Sequence, residues 1–159
     1  MRLLSWRRGP LEQSQADAHP RVPSRFREPV TFGAADGVTV LLGLLVSLEG
    51  QPHALIRAAV GAGIAEWVGM SAGQYLSNER AGIRVALANG TAALAACVLP
   101  AVPYLAGGGW LPLAVSLVLV CALAAVVSVM RPERGVLAFV TTFGILGVAA
   151  ALCWAASLL

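Results

Sequence analysis

From Val30 onwards the chain is almost continuously apolar, and it is broken at four places by clusters of Gly, Pro or charged residues. A helix needs about 20 apolar residues to cross a bilayer. That length divides the region into five spans: Val30–Leu48, Ala54–Ser77, Ile83–Leu105, Trp110–Met130 and Gly135–Leu158. The breaks are Glu49–His53, Asn78–Gly82, Ala106–Gly109 and Arg131–Arg134, each carrying the Gly, Pro or charge that turn chemistry favours. The pattern predicts an all-α integral membrane protein with five transmembrane helices.

Composition agrees. Of 159 residues, 58% are hydrophobic and 12% charged, the balance of a membrane chain. Residues 30–159 are read as one transmembrane domain, and residues 1–29 as a polar arm. Met1–Glu28 holds six arginines and three prolines with hardly any apolar periodicity, so it cannot bury enough surface to fold alone. Met1–Pro10 has no apolar core, so no cleavable signal peptide is expected there. Arginines in short loops stay on the cytoplasmic side. The arm, Arg80, Arg84, Arg131 and Arg134 hold all the arginines except Arg57, which predicts a cytoplasmic N-terminus and an outer C-terminus. Trp110 and Trp154 then fall near outer ends, where indoles favour the interface.

The basic balance points to anionic headgroups, since the arginines flank apolar spans and no basic patch is interleaved with aromatics as nucleic-acid binding would require. An enzyme is not expected: there is no Ser/His/Asp set, no His-Glu-x-x-His and no phosphate-cradling Gly loop. Cys97, Cys121 and Cys153 lie on three different spans and are read as small core residues.

Against this background Asp36 stands out. A carboxylate near the middle of a spanning helix costs about 2.5–3.5 kcal/mol on insertion scales, so it turns towards a partner, a cavity or an ion path. Its setting, Gly33-Ala34-Ala35-Asp36-Gly37, lets another helix approach closely. In span 1 Phe32, Gly33, Asp36, Val40, Gly43 and Ser47 share a stripe about 100° wide. In span 2 Ala62, Glu66, Gly69, Met70, Gly73, Gln74 and Ser77 fall in an arc of about 140°, with Val60, Ile64, Val68 and Tyr75 opposite, a face suited to lipid. Both spans carry a Gly-x-x-x-Gly pair, Gly33/Gly37 and Gly69/Gly73. Asp36 lies about 9 Å into span 1 from its cytoplasmic start, and Met70 about seven residues from the cytoplasmic end of span 2, which predicts a similar level. Carboxylate oxygen beside a thioether suits a borderline transition metal ion better than Mg2+ or Ca2+. Two such ligands are too few to hold an ion, so water, backbone carbonyls or a second protomer must add to them.

The run Phe32-Gly33-Ala34-Ala35-Asp36-Gly37 resembles the first-helix signature of the vacuolar iron transporter family. Gly69-Met70-Ser71-Ala72-Gly73-Gln74-Tyr75-Leu76-Ser77 is similar to that family's second-helix motif, and Pro100-Ala101-Val102-Pro103-Tyr104 to its proline-rich end of helix 3. The resemblance implies a homodimer that moves Fe2+, and often Mn2+, out of the cytoplasm in exchange for protons, along a path between protomers lined by the first two helices. It implies pathway roles for Asp36 and Met70. Gln74 stands where the motif has Glu, and the short Asn78–Gly82 break stands where the family has Glu-rich cytoplasmic helices. Glu66, one turn from Met70, extends the path outward on this reading and is added from the residues alone.

The expected metal site is therefore Asp36, Met70, Glu66 and Gln74, with no cofactor and the metal ion as transported substrate. The alternative is a non-transporting membrane scaffold or regulatory protein of the same fold, and transport of another cation remains a third reading. Asp36 has a structural alternative, capping a neighbouring helix or pairing with an arginine such as Arg84; Glu66, Gln74 and Ser77 have one in interhelical hydrogen bonding, as do Asn89 and Thr91 of span 3. The absence of lysine and the abundance of Ala, Gly, Arg and Val suggest a GC-rich genome and a bacterial plasma membrane.

Overall fold

The computed structural model describes residues 24–77, 82–131 and 135–157. Among these the chain forms five α-helices: α1 (Ser24–Ser47), α2 (Pro52–Ser77), α3 (Gly82–Val98), α4 (Trp110–Met130) and α5 (Val136–Ser157). A 3-10 segment, Leu99–Ala106, continues α3 towards α4. The helix ends fall at the predicted breaks, except that α1 begins at Ser24. Residues 24–29 of the expected arm are thus helical, whereas residues 1–23 lie outside the described residues, as do Arg80 and Arg134. Hydropathy marks where a helix can meet an apolar phase, not where its hydrogen bonding starts. Pro29 sits inside α1, at its sixth residue, where the missing N–H leaves the Arg25 carbonyl without its i→i+4 donor.

Four helical stretches are long and apolar enough to cross a membrane: Arg25–Ser47, Gly82–Ala106, Trp110–Met130 and Val136–Ala156. Span 2, predicted as a fifth, is not among them: Arg57, Glu66 and Gln74 dilute the hydropathy of α2. Its outer face is nonetheless apolar, with Val60, Ile64, Val68 and Tyr75 all exposed as predicted.

α3 occupies the centre, packed along both α1 and α2. Glycine makes this possible. Gly33 of α1 lies against the Asn89 carbonyl, Gly37 against that of Ala93, and Gly90 of α3 against the Trp67 carbonyl and the Ser71 hydroxyl. A Cβ on any of these would collide. At Gly63 of α2 an added Cβ would stand 2.9 Å from Leu94 Cδ1. Gly69 and Gly73 share the spacing of Gly33 and Gly37 yet have nothing within 4 Å of an added Cβ.

The tightening of α3 into a 3-10 turn follows from Pro100 and Pro103, which lack an N–H. In 3-10 winding the Pro100 carbonyl would receive the amide of residue 103. Pro103 has none to give, and the buried Ser116 hydroxyl of α4 donates there instead. Beyond it Gly107 and Gly109, at φ 119° and 117°, turn the chain through backbone that a side chain would strain.

The core is shared by Val38, Leu41 and Leu45 of α1, Leu55 and Ala59 of α2, and Cys97 of α3. Most of α5 faces outward: Val136, Leu137, Val140, Ile145, Val148 and Leu152 are each more than half exposed, which suits lipid. Trp110 and Trp154 are exposed at helix ends. Of the three cysteines, Cys97 is buried, Cys153 half-buried and Cys121 exposed, so the expectation of core packing fails for Cys121. A residue small and apolar enough for the core is equally at home against hydrocarbon, and sequence does not distinguish the two.

Candidate functional site

The contacts of α3 fix the relative depth of its neighbours. Asn89 meets Gly33 on one side and Met70 on the other; further along, Leu94 and Val98 meet Gly63, and Cys97 meets Ala59. α1 therefore runs parallel to α3 and α2 antiparallel. Met70 lies at the level of Gly33. Asp36, three residues on, lies about 4.5 Å deeper, which is the level of Glu66. The similar depth expected of Asp36 and Met70 holds to within about one turn, and the closer match is Glu66.

Asp36 is half-buried on α1 between two glycines that press the helix onto α3. Among the described residues Arg84 makes no ion pair with Asp36. Glu66 is the most unusual group in the bundle: both carboxylate oxygens are buried and neither has a hydrogen-bond partner. The Ser71 hydroxyl and Asn89 Oδ1 are buried without partners as well. These orphaned oxygens gather where α2 passes α3, within two turns of α2.

Met70 is half-buried, and its carbonyl oxygen accepts a hydrogen bond from Asn89 Nδ2 at 3.4 Å. Gln74, also half-buried, lies one turn further towards Ser77. Glu66, Met70 and Gln74 recur every four residues and so share a face. That face continues into Gly63, Ala59 and Leu55, which are fully buried. The inner side of α2 is therefore apolar and closed at one end, polar and half-open at the other. Of the four expected site residues, three share this half-open stretch of α2, and Asp36 lies at a similar level on α1.

Thr91 accepts a hydrogen bond from Trp67 Nε1 at 3.3 Å, which favours its structural role. Asn89 does both things: it bonds across helices and keeps one oxygen unpaired. It is 2% exposed, and a single amide in an apolar helix is the signal that points to it. Ser71 and Cys97 carried no comparable signal. Cys97 donates to the Ala59 carbonyl at 3.5 Å, a packing role.

Chemically the stretch offers two carboxylates, an amide oxygen and a thioether. Among the described residues no three His, Cys, Asp or Glu side chains form a group that could hold a metal ion. No family model, no curated protein and no solved structure matches the chain.

Proposed function

We propose that this chain is a homodimeric membrane carrier that moves a divalent transition metal ion, Fe2+ or Mn2+, out of the cytoplasm in exchange for protons. Glu66 carries the reading: a carboxylate with both oxygens buried and unpaired, level with Asp36 and one turn from Met70. At that depth a carboxylate is stabilised by a proton or a cation. Metal binding requires the deprotonated form and so releases a proton, which is the chemistry of exchange. Met70 would supply the soft ligand, with Gln74 a neutral oxygen beside it.

In this reading α2 is a fifth crossing. It packs along α3 from Ala59 to Ser71, so a bilayer spanned by α3 also encloses α2. The arginines put the N-terminus in the cytoplasm and the C-terminus outside, in a membrane we take to be a bacterial plasma membrane. A dimer would supply further ligands. Gly61, Ala65, Gly69 and Gly73 are exposed at four-residue intervals along α2, with open space at each glycine, and such a ladder lets a second helix approach closely.

A second reading, a non-transporting scaffold of the same fold, draws on Gln74 in place of a carboxylate. Fe2+ and Mn2+ flux into liposomes holding the purified protein, with an imposed pH gradient, separates the two. Flux that disappears in Asp36→Asn and Glu66→Gln supports the carrier. No flux in the unmodified protein favours the scaffold, and flux indifferent to the gradient removes the proton exchange.

A further inference from the structure

Four polar side chains among the described residues are more than nine-tenths buried: Asn89, Ser116, Ser128 and Thr142. Ser116 and Ser128 donate to the carbonyls of Pro100 and Ala124, and Thr142 accepts from Arg131. Asn89 differs, because half of its amide is used and half is not. Nδ2 donates to the Met70 carbonyl oxygen of α2 at 3.4 Å. A carbonyl only accepts, which fixes the two ends of the amide. Oδ1 therefore lies on the α1 side, against Gly33, buried and without a hydrogen-bond partner among the described residues. Bonding between helices accounts for Nδ2 and leaves Oδ1 unexplained, since an unpaired buried acceptor destabilises a fold.

The register gives that oxygen its neighbours. Asn89 stands level with Gly33 and Met70, and Asp36 is nearly one turn further along α1, about 60° round the helix from Gly33. A helical side chain leans towards the N-terminus of its own helix. The Asp36 carboxyl thus leans back towards the Gly33 turn, whereas Met70, on antiparallel α2, leans towards the level of Asp36. An ionised carboxylate and an amide oxygen are both acceptors, so neither satisfies the other. A cation satisfies both.

We propose that Asn89 Oδ1 is a further ligand of the transported ion, which then takes one donor from each of three helices: the Asp36 carboxylate on α1, the Met70 thioether on α2 and the Asn89 amide oxygen on α3. This deepens the carrier reading and rests on it. A neutral oxygen adds coordination without adding charge, so the ion is held but still able to leave. Gly33 places no side chain over Oδ1, and an ion reaches it by a small parting of α1 from α3.

The test is infrared difference spectroscopy of the full chain in detergent, with and without Mn2+. The chain has two asparagines, Asn78 and Asn89, so Asn78→Ser carrying asparagine labelled with 13C at the side-chain carbonyl reports residue 89 alone. The expected result is a shift of the labelled band to lower frequency when Mn2+ binds, lost in Asp36→Ala. An unmoved band on Mn2+ binding overturns the proposal and leaves the carrier reading standing; no Mn2+ binding by the unmodified chain overturns both. Asn89→Asp separates a ligand from a packing residue. It removes the Nδ2 bond to Met70 and sets a carboxylate where Oδ1 stands. A ligand role predicts tighter Mn2+ binding, on the order of tenfold for the added charge, despite the lost bond. Unchanged or weaker binding in a folded Asn89→Asp protein overturns the proposal, and if that variant does not fold the labelled band decides, because it is read with residue 89 intact.

Discussion

The Asn89 side chain ties α3 to the backbone of α2, its Nδ2 donating to the Met70 carbonyl oxygen at 3.4 Å, while its Oδ1 lies against Gly33 of α1. One buried amide therefore touches all three helices that frame the candidate site. Asn89→Leu keeps a similar volume and removes the bond. Interhelical hydrogen bonds in membranes contribute about 1 kcal/mol, so thermal unfolding in detergent should show a loss of that order. Metal flux should fall as Met70 loses its anchor, although no charge has changed. Stability equal to that of the unmodified protein would remove Asn89 from this role.

The two Gly-x-x-x-Gly pairs should respond in opposite ways. At Gly33 a methyl group meets the Asn89 carbonyl, and forced overpacking costs about 1–3 kcal/mol. At Gly69 it meets nothing within 4 Å, and Ala exceeds Gly in helix propensity by about 1 kcal/mol. Gly33→Ala should lower the unfolding temperature of the isolated chain, whereas Gly69→Ala should hold or raise it. In the proposed dimer, Gly69→Ile should also reduce the dimer fraction seen by light scattering. An undiminished dimer would move the interface elsewhere.

Ser116 makes a bond that Pro103 cannot. Ser116→Ala leaves the Pro100 carbonyl, in a fully buried setting, without its donor. The cost of an unsatisfied buried acceptor is about 1–3 kcal/mol, to be read as a fall in unfolding temperature. No change would mean that the amide of another residue takes over the carbonyl.

Met70→Leu tests the thioether apart from its volume. The exchange conserves size and costs under about 1.5 kcal/mol of stability, but it removes the soft donor. On the proposed function, Fe2+ flux should fall more than Mn2+ flux, because Mn2+ leans more on oxygen ligands. Equal reduction of both would assign Met70 to packing.

Much of the architecture was legible along the chain because membrane helices must satisfy their own backbone and stay apolar. The positions of the breaks, the outward face of α2 and the exposed Trp110 and Trp154 all follow from that one constraint. Asp36 and Glu66 were legible for the same reason, as charges that hydrocarbon does not tolerate without cause.

What the sequence by itself determined is the set of helices and the residues too polar for a bilayer, because both depend on composition within a single segment. Only the tertiary structure decided which helix lies beside which, and at what register. Equal spacing left Gly33/Gly37 packed and Gly69/Gly73 open; Glu66, not Met70, came level with Asp36; and Cys97 went inside and Cys121 outside. Each of these depends on two segments far apart in the chain, joined by close contacts that α3 makes with both neighbours and that no periodicity within one helix encodes.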